Sequence, residues 1–366
     1  MDWLEFLEEI AKTKGLSDDE VKVLKATFPE IERKVKGNQV AGDLTRSESG
    51  MKGKLTKIYD AFEKDDCPKL AGNKNGKGRI LHDYLRELYQ KKKDEVKNQS
   101  LTLNTSFQAL ITEKTRMFCG RKFVFDAFEK FLEQHPKGYF TIVGYPGMGK
   151  SAIAAKAVEK YQTIHYFNIL GNTSTQKFLE SVGEQLITRY HLDNMDLYNL
   201  EVLIQKILSK IPHNERLIII VDDLDEVMEN EREGNILNLP RHLPDRVYFM
   251  LTRRGYTPEQ KRLFVSPDVA MEDLDLRAMK YARFNRDDVK SYINRFLDEN
   301  QDYKDKVQKW IKERSVTSEQ FVETLAEKSE DNFMYLSYVL QDIRENNFMY
   351  LSYVLRDIGE GKYDAF

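Results

Sequence analysis

Apolar residues in the first quarter of the chain recur at helical spacing. Trp3, Leu4, Phe6, Leu7, Ile10 and Ala11 mark one face of a helix that Gly15 ends. Ser17-Asp-Asp-Glu20 is a capping box that opens a second helix through Val21, Leu24 and Phe28, stopped by Pro29. Leu55, Ile58, Tyr59 and Phe62 predict a third helix, and Ile80, Leu81, Tyr84, Leu85 and Leu88 a fourth. Ala71 to Gly78 reads as a solvated basic turn, and the lone His82 as structural. Beyond a polar stretch the pattern changes. Tyr139–Val143, Thr163–Asn168, Arg216–Val221 and Arg246–Arg254 are short β-branched and aromatic runs of the kind buried on both faces. Amphipathic helices at 175–190 and 198–211 alternate with them, so the middle of the chain predicts an α/β fold with a three-layer parallel sheet. From Asn285, read as the start of a capped helix, the remainder predicts helices.

These shifts divide the chain into a helical adaptor-like module (1–95), a linker (96–114), a sheet-containing core (115–270) and a helical lid (271–366). The lid ends in a duplication: Asn332-Phe-Met-Tyr-Leu-Ser-Tyr-Val-Leu-Gln-Asp-Ile343 returns as residues 347–358 with a single change, Gln341 to Arg356. One pair is too few for a solenoid, so the repeat reads as a duplicated amphipathic helix.

Bulk properties narrow the partners. A net charge of −3 gives no global field for nucleic acid or acidic lipid. Two cysteines, Cys67 and Cys119, suggest no disulfide framework and fit a reducing cytoplasm. The acidic N-terminus is unlike a signal peptide, and no apolar run has the length of a membrane span.

The chemistry gathers at two strand ends. Gly144-Tyr145-Pro146-Gly147-Met148-Gly149-Lys150-Ser151 follows the first core strand and precedes a helix, filling every fixed position of the phosphate-loop pattern. Such a loop turns its amide N–H groups and the following helix dipole toward phosphate oxygens. Lys150 adds a charge for the β- and γ-phosphates, and Ser151 a hydroxyl for Mg²⁺. The strand from Arg216 ends in Asp222, Asp223, Asp225 and Glu226, where ligands of open α/β sheets bind. Asp222 is the expected Mg²⁺ ligand, with Asp225 and Glu226 placed to orient or deprotonate a water. Arg254 closes another strand, where it can sense the γ-phosphate or pair with an acid. Two adjoining strand tips are thus expected to grip a metal-bound polyphosphate.

In this order the segments Phe118-Cys-Gly-Arg121, Gly144 to Ser151, Asp222-Asp-Leu-Asp-Glu226 and Leu251-Thr-Arg-Arg254 resemble the STAND-class P-loop NTPases, and most of all the bacterial NACHT branch. Two positions depart from it. Asp223 stands where the NACHT pattern prefers a small residue, which keeps the neighbouring apoptotic-ATPase branch open, and Arg253 replaces a small polar residue. The resemblance implies that Gly120 and Arg121 lie along the adenine, that Lys150 and Ser151 serve phosphate and Mg²⁺, and that Asp222, Asp225, Glu226 and Arg254 serve hydrolysis. It also implies ATP or ADP with Mg²⁺ as ligands, a helical effector-associated module at the N-terminus, a protein partner for that module and nucleotide-dependent self-association. Relatives continue into a winged helix and sensor repeats, so a chain that stops at Phe366 reads as truncated before them. The expected function is a cytoplasmic ATP-dependent switch with slow hydrolysis. The alternatives are a motor of the AAA or helicase class and a scaffold that binds ATP without cleaving it. A small-molecule kinase fits least, since no arginine-rich acceptor lid follows the loop.

Overall fold

The computed structural model describes residues 3–31, 48–63, 67, 70, 76–169, 173–192, 195–227, 235–255, 263–299, 301–313 and 315–345. Two compact units form: residues 1–102 with 194–198, and residues 103–193 with 199–366.

In the first unit α1 (Trp3–Thr13), α2 (Asp18–Thr27), α3 (Glu48–Glu63) and the first part of α4 (Lys77–Arg116) share one apolar core. The capping box forms, with Ser17 N–H donating to Glu20 Oε2 at 2.9 Å. Trp3 packs edge-on to Tyr89, and its indole N–H donates to Phe28 O at 2.8 Å. His82 is buried in the same cluster, stacked on Phe28. Burial of large side chains stabilises this unit.

The polar stretch read as a linker is helical: residues 96–114 belong to α4, which is helical through Arg116. Polar surface residues with good helix propensity look the same in a linker as on an exposed helix.

The second unit is a five-stranded, all-parallel sheet in the order β2-β3-β4-β1-β5. Its strands are β1 (Gly138–Val143), β2 (Ile164–Phe167), β3 (Leu217–Asp222), β4 (Val247–Arg253) and β5 (Ala270–Asp275). Every residue of β1 and β2 is buried, as the unbroken apolar runs require of strands covered on both faces. Phe140 meets Phe128 and Phe131 of α5 (Lys122–Gln134). Its neighbour Tyr139 points to the other face, stacks on Phe249 and donates its hydroxyl to Pro240 O. Helices α6 (Lys150–Tyr161), α7 (Thr175–Tyr190) and α8 (Leu200–Leu208) supply the crossovers.

Two expectations change here. The strand ending in Asp222 does not adjoin the one that feeds the phosphate loop, because β4 lies between β1 and β3. β5, which the sequence pattern did not reveal, flanks β1 on the other side. As an edge strand it keeps Met271, Glu272 and Asp273 exposed, so it lacks an apolar run.

The lid comprises α9 (Ala282–Glu299), α10 (Gln301–Lys312), α11 (Ser318–Lys328) and α12 (Phe333–Arg344), closed on Val289, Ile293, Phe321, Leu325, Leu336 and Val339. Helix α9 starts at Ala282, so Asn285 lies within its first turn and is not its cap. The second copy of the duplicated helix, 347–358, lies outside the described residues. Among the described residues no helix is long and apolar enough to cross a membrane.

Candidate functional site

The phosphate loop emerges from β1 where the sequence pattern predicts it. Gly144 N–H donates to Arg253 O at 3.3 Å, which ties the loop to β4, and Met148 N–H closes a turn on Tyr145 O at 3.3 Å. Gly147 has φ 84°, and a Cβ there would run into the Asn332 side chain, so both backbone and space demand glycine. Gly149 precedes α6, whose first residue, Lys150, is only 6% exposed. The Lys150 ammonium donates to Tyr145 O at 3.3 Å, inside the curl of its own loop. With one hydrogen-bond acceptor the ammonium keeps donors to spare for an anion, and its charge also acts on Asp222 and Asp223.

The acidic tip faces this loop across the end of β4. Asp222 is 2% exposed and accepts from the Thr252 hydroxyl of β4 at 2.5 Å. Burial, followed by repulsion from Asp223, raises its pKa to about 7, against the pull of Thr252, Ser151 and Lys150. Asp223, at φ 50°, turns forward: its N–H donates to the Thr252 hydroxyl oxygen at 2.9 Å, and its carboxylate accepts from Ser151 Oγ at 3.2 Å. Burial raises the Asp223 pKa as well, opposed mainly by Lys150. The intervening strand thus supplies Thr252 as a peg between the two carboxylates. Of the two, Asp223 lines the cavity in front of Ser151, and Asp222 sits behind it against Thr252.

Asp225 and Glu226 are held by Arg254. Its backbone N–H and Nε meet Asp225 at 2.7 and 2.9 Å, and its Nη2 reaches Glu226 at 2.6 Å. Of the two roles open to Arg254, pairing with an acid is the one formed, and the residue also borders the cavity. Arg253, the other departure from the family pattern, pairs with Asp273 of β5 at 2.7 Å.

Gly120 and Arg121 hold the lid. Gly120, at φ 69°, lies so close to Asp288 of α9 that a Cβ would overlap its carboxylate. Arg121 is 2% exposed. Its guanidinium donates to Met148 O of the phosphate loop at 2.8 Å and to Asn285 Oδ1 at 2.5 Å, and it lies 4.9 Å from the Phe333 ring. Asn285 in turn donates to Leu276 O at 2.7 Å, and Asp288 Oδ2 accepts the Arg121 N–H at 2.9 Å. Burial weighs against the charge on Arg121, and Asp288 and Asp331 offset it. Sequence reasoning missed Thr252, Asn285, Asp288, Asn332 and Phe333. Each acts through a partner distant in the chain, so no local pattern marks it.

Together these groups border a cavity of about 550 Å³. The loop and the two strand tips give its wall Pro146, Gly147, Lys150, Ser151, Asp223 and Arg254, and the segment before α5 and the lid give it Met117, Phe118, Cys119, Tyr292, Phe296 and Phe333. Amide and ammonium donors beside an apolar, aromatic recess suit a polyphosphate joined to a flat ring. Among the described residues no three His, Cys, Asp or Glu side chains converge as a self-sufficient metal site. Ser151 with Asp223 and Asp222 provides hard oxygen donors, which fits Mg²⁺ held partly by phosphate and water.

Residues 121–255 match the family model of the NB-ARC domain, a STAND-class P-loop NTPase module. The sheet and loop geometry are those of a P-loop NTPase. A solved structure described as "Structure of Drosophila ORC bound to DNA" is similar at 14% identity and a TM-score of 0.41, over 71% of this chain and 72% of that one. No curated protein matches the sequence.

Proposed function

We propose that the protein is an ATP-dependent signalling switch of the STAND class, in which Mg²⁺ and ATP set the state of the helical lid and slow hydrolysis resets it. The observation that carries this reading is the composition of the cavity wall, where the phosphate loop and the lid residue Phe333 border one space. Whatever fills that space touches both. An adenine nucleotide would lay its phosphates against the loop amides and Lys150, and its base among Phe118, Tyr292 and Phe333, beside the Gly120–Arg121 turn. Mg²⁺, held by Ser151 and the Asp222–Asp223 pair, would neutralise charge on the β- and γ-phosphates.

The slow rate follows from the acidic pair. Asp225 and Glu226 are the candidate general bases, and Arg254 engages both. A carboxylate held in such a pair is less free to swing toward a water. Hydrolysis would then require Arg254 to release one of them.

Within the class, the match to the NB-ARC domain gives the NACHT branch no support. Asp223, where the sequence departs from the NACHT pattern, is the residue that meets Ser151. The N-terminal helices 1–95 would recruit a protein partner, and nucleotide-dependent self-association would expose them, in the cytoplasm.

Phosphate release under single-turnover conditions tests the reading. Slow release by the wild type and a roughly 100-fold or larger loss in Glu226→Gln are expected, the size of a general-base contribution. ATP binding with no release from either protein would leave the non-hydrolysing scaffold.

A further inference from the structure

Two consecutive peptides of the phosphate loop have their carbonyls held from outside the loop. Gly147 O accepts at 2.8 Å from the N–H of Phe333, the first residue of α12. Met148 O accepts from Arg121 Nη2, also at 2.8 Å. Arg121 is in turn braced by α9, through Asn285 Oδ1 and through Asp288, which accepts its backbone N–H at 2.9 Å. Asn332 caps α12, its Oδ1 accepting Tyr335 N–H at 3.0 Å, and its amide approaches Pro146 O at 3.5 Å. One donor thus belongs to the lid, and the other is fixed by it.

A trans peptide is planar, with its C=O and N–H pointing opposite ways. A carbonyl drawn outward therefore sends the amide of the next residue inward, here those of Met148 and Gly149. Met148 N–H rests on Tyr145 O at 3.3 Å, the atom that also accepts from the Lys150 ammonium. Turned over, the same peptides would present carbonyl oxygens to an incoming anion. The loop's own backbone does little to prevent this. Gly147 (φ 84°) and Gly149 (φ 82°) flank Met148, and glycine takes positive or negative φ with similar ease.

We propose that the lid orients the phosphate loop: the Phe333 backbone N–H and the Arg121 guanidinium hold these two peptides with their amides turned inward, so that docking of α12 strengthens the grip on phosphate. Phe333 is then a positioning residue, acting through the Gly147–Met148 peptide. Such coupling is reciprocal, so phosphate in the loop holds α12 docked to the same degree. The link to a nucleotide rests on the function proposed above, whereas the orientation of the peptides by the lid does not.

Phe333→Pro and Phe333→Ala test this as a pair. Both remove the ring, and only the first removes the N–H. Proline suits the first position of a helix, where it breaks no intrahelical hydrogen bond. In the ligand-free protein, hydrogen exchange at the Met148 amide should be about fivefold faster in Phe333→Pro than in Phe333→Ala, the size of one net hydrogen bond. With Mg²⁺ present, inorganic tripolyphosphate should bind Phe333→Pro about fivefold more weakly than Phe333→Ala. This probe carries no base, so the missing ring does not enter the comparison. In the wild type, bound tripolyphosphate should slow exchange of the Phe333 amide itself.

The Leu336 and Val339 amides report whether α12 stays folded. If proline melts the helix, an ester in place of the residue 333 amide, which removes the N–H and keeps the ring, makes the same comparison against the wild type. Equal Met148 exchange with and without the residue 333 N–H would overturn the orientation. Faster exchange with unchanged tripolyphosphate affinity would overturn the coupling and leave a contact that is only structural. No tripolyphosphate binding by the wild type would contradict the phosphate-binding reading, and the coupling with it, while the exchange measurement would still decide whether the lid orients the loop.

Discussion

The two ends of the cavity are built differently. At the phosphate end, the loop and the acidic tip are extensions of β1, β3 and β4, whose buried strands fix them through backbone ladders and a packed core. At the lid end, a few polar groups converge on one buried arginine, Arg121, which joins Met148 to Asn285, Asp288 and Phe333. The first arrangement moves only if the sheet does. The second has few members. A phosphate grip fixed by the sheet beside a lid contact of few members is the construction the proposed switch needs.

Removing Arg121 breaks that contrast most strongly. Arg121→Ala takes the guanidinium donor from Asn285 Oδ1 and Met148 O and the facing charge from Asp288, and should cost about 3 kcal/mol, as losing charged hydrogen bonds does. Limited proteolysis combined with denaturant unfolding checks it. Cleavage between α9 and α12 should rise while the sheet remains folded, and simultaneous loss of sheet and lid would show that the two ends are not separable.

Asp222 sharpens the contrast from the phosphate side. Its pKa is raised to about 7, so the folded state holds a proton that the unfolded chain has already lost. Ligand-free stability should therefore fall as pH rises from the ordinary carboxylate range toward 7, and level off above it. Asp223 adds a change of the same sign, since burial raises its pKa too. Asp222→Asn should flatten most of this slope, with Lys150, Ser151, Thr252 and Asp223 still in place. Melting temperatures between pH 5 and 7.5, taken without nucleotide or Mg²⁺, decide it. Equal slopes in the two proteins would place the titration elsewhere.

The smallest effect concerns Cys119, which borders the lid end of the cavity. Burial, with Asp288 nearby, raises its thiol pKa to about 11. Alkylation at pH 8 should be slow, since little thiolate is present, and ATP should slow it further. A rate as fast as that of an exposed thiol, unchanged by ATP, would show that the recess is open.

How much of this was legible in the sequence follows the same division. Gly144 to Ser151 and the acids from Asp222 to Glu226 are consecutive residues on consecutive backbone, so pattern and chemistry coincide. The helical core of residues 3–31 was equally plain, since amphipathic spacing is a local property. β5 was hidden because an edge strand with exposed charges has no apolar run. The separation of β1 from β3 was hidden because strand order is a tertiary fact, and with it went the role of Thr252. The contact of Asp223 with Ser151, where Asp222 was expected, was hidden because it rests on the φ of 50° that turns the Asp223 carboxylate forward. Arg121 stands in the motif order read from the sequence, but its partners Asn285 and Phe333 are far along the chain and follow no spacing rule.

The central claim is that the loop and the acidic tip grip a metal-bound nucleoside triphosphate. Equilibrium titration of ATP in the presence of Mg²⁺, for the wild type and Lys150→Ala, tests it most directly. Saturable one-to-one binding by the wild type is expected, weakened about 10- to 100-fold in the variant by the loss of a charged hydrogen-bond donor. Equal affinity in the two folded proteins, or no binding by the wild type, would contradict the claim.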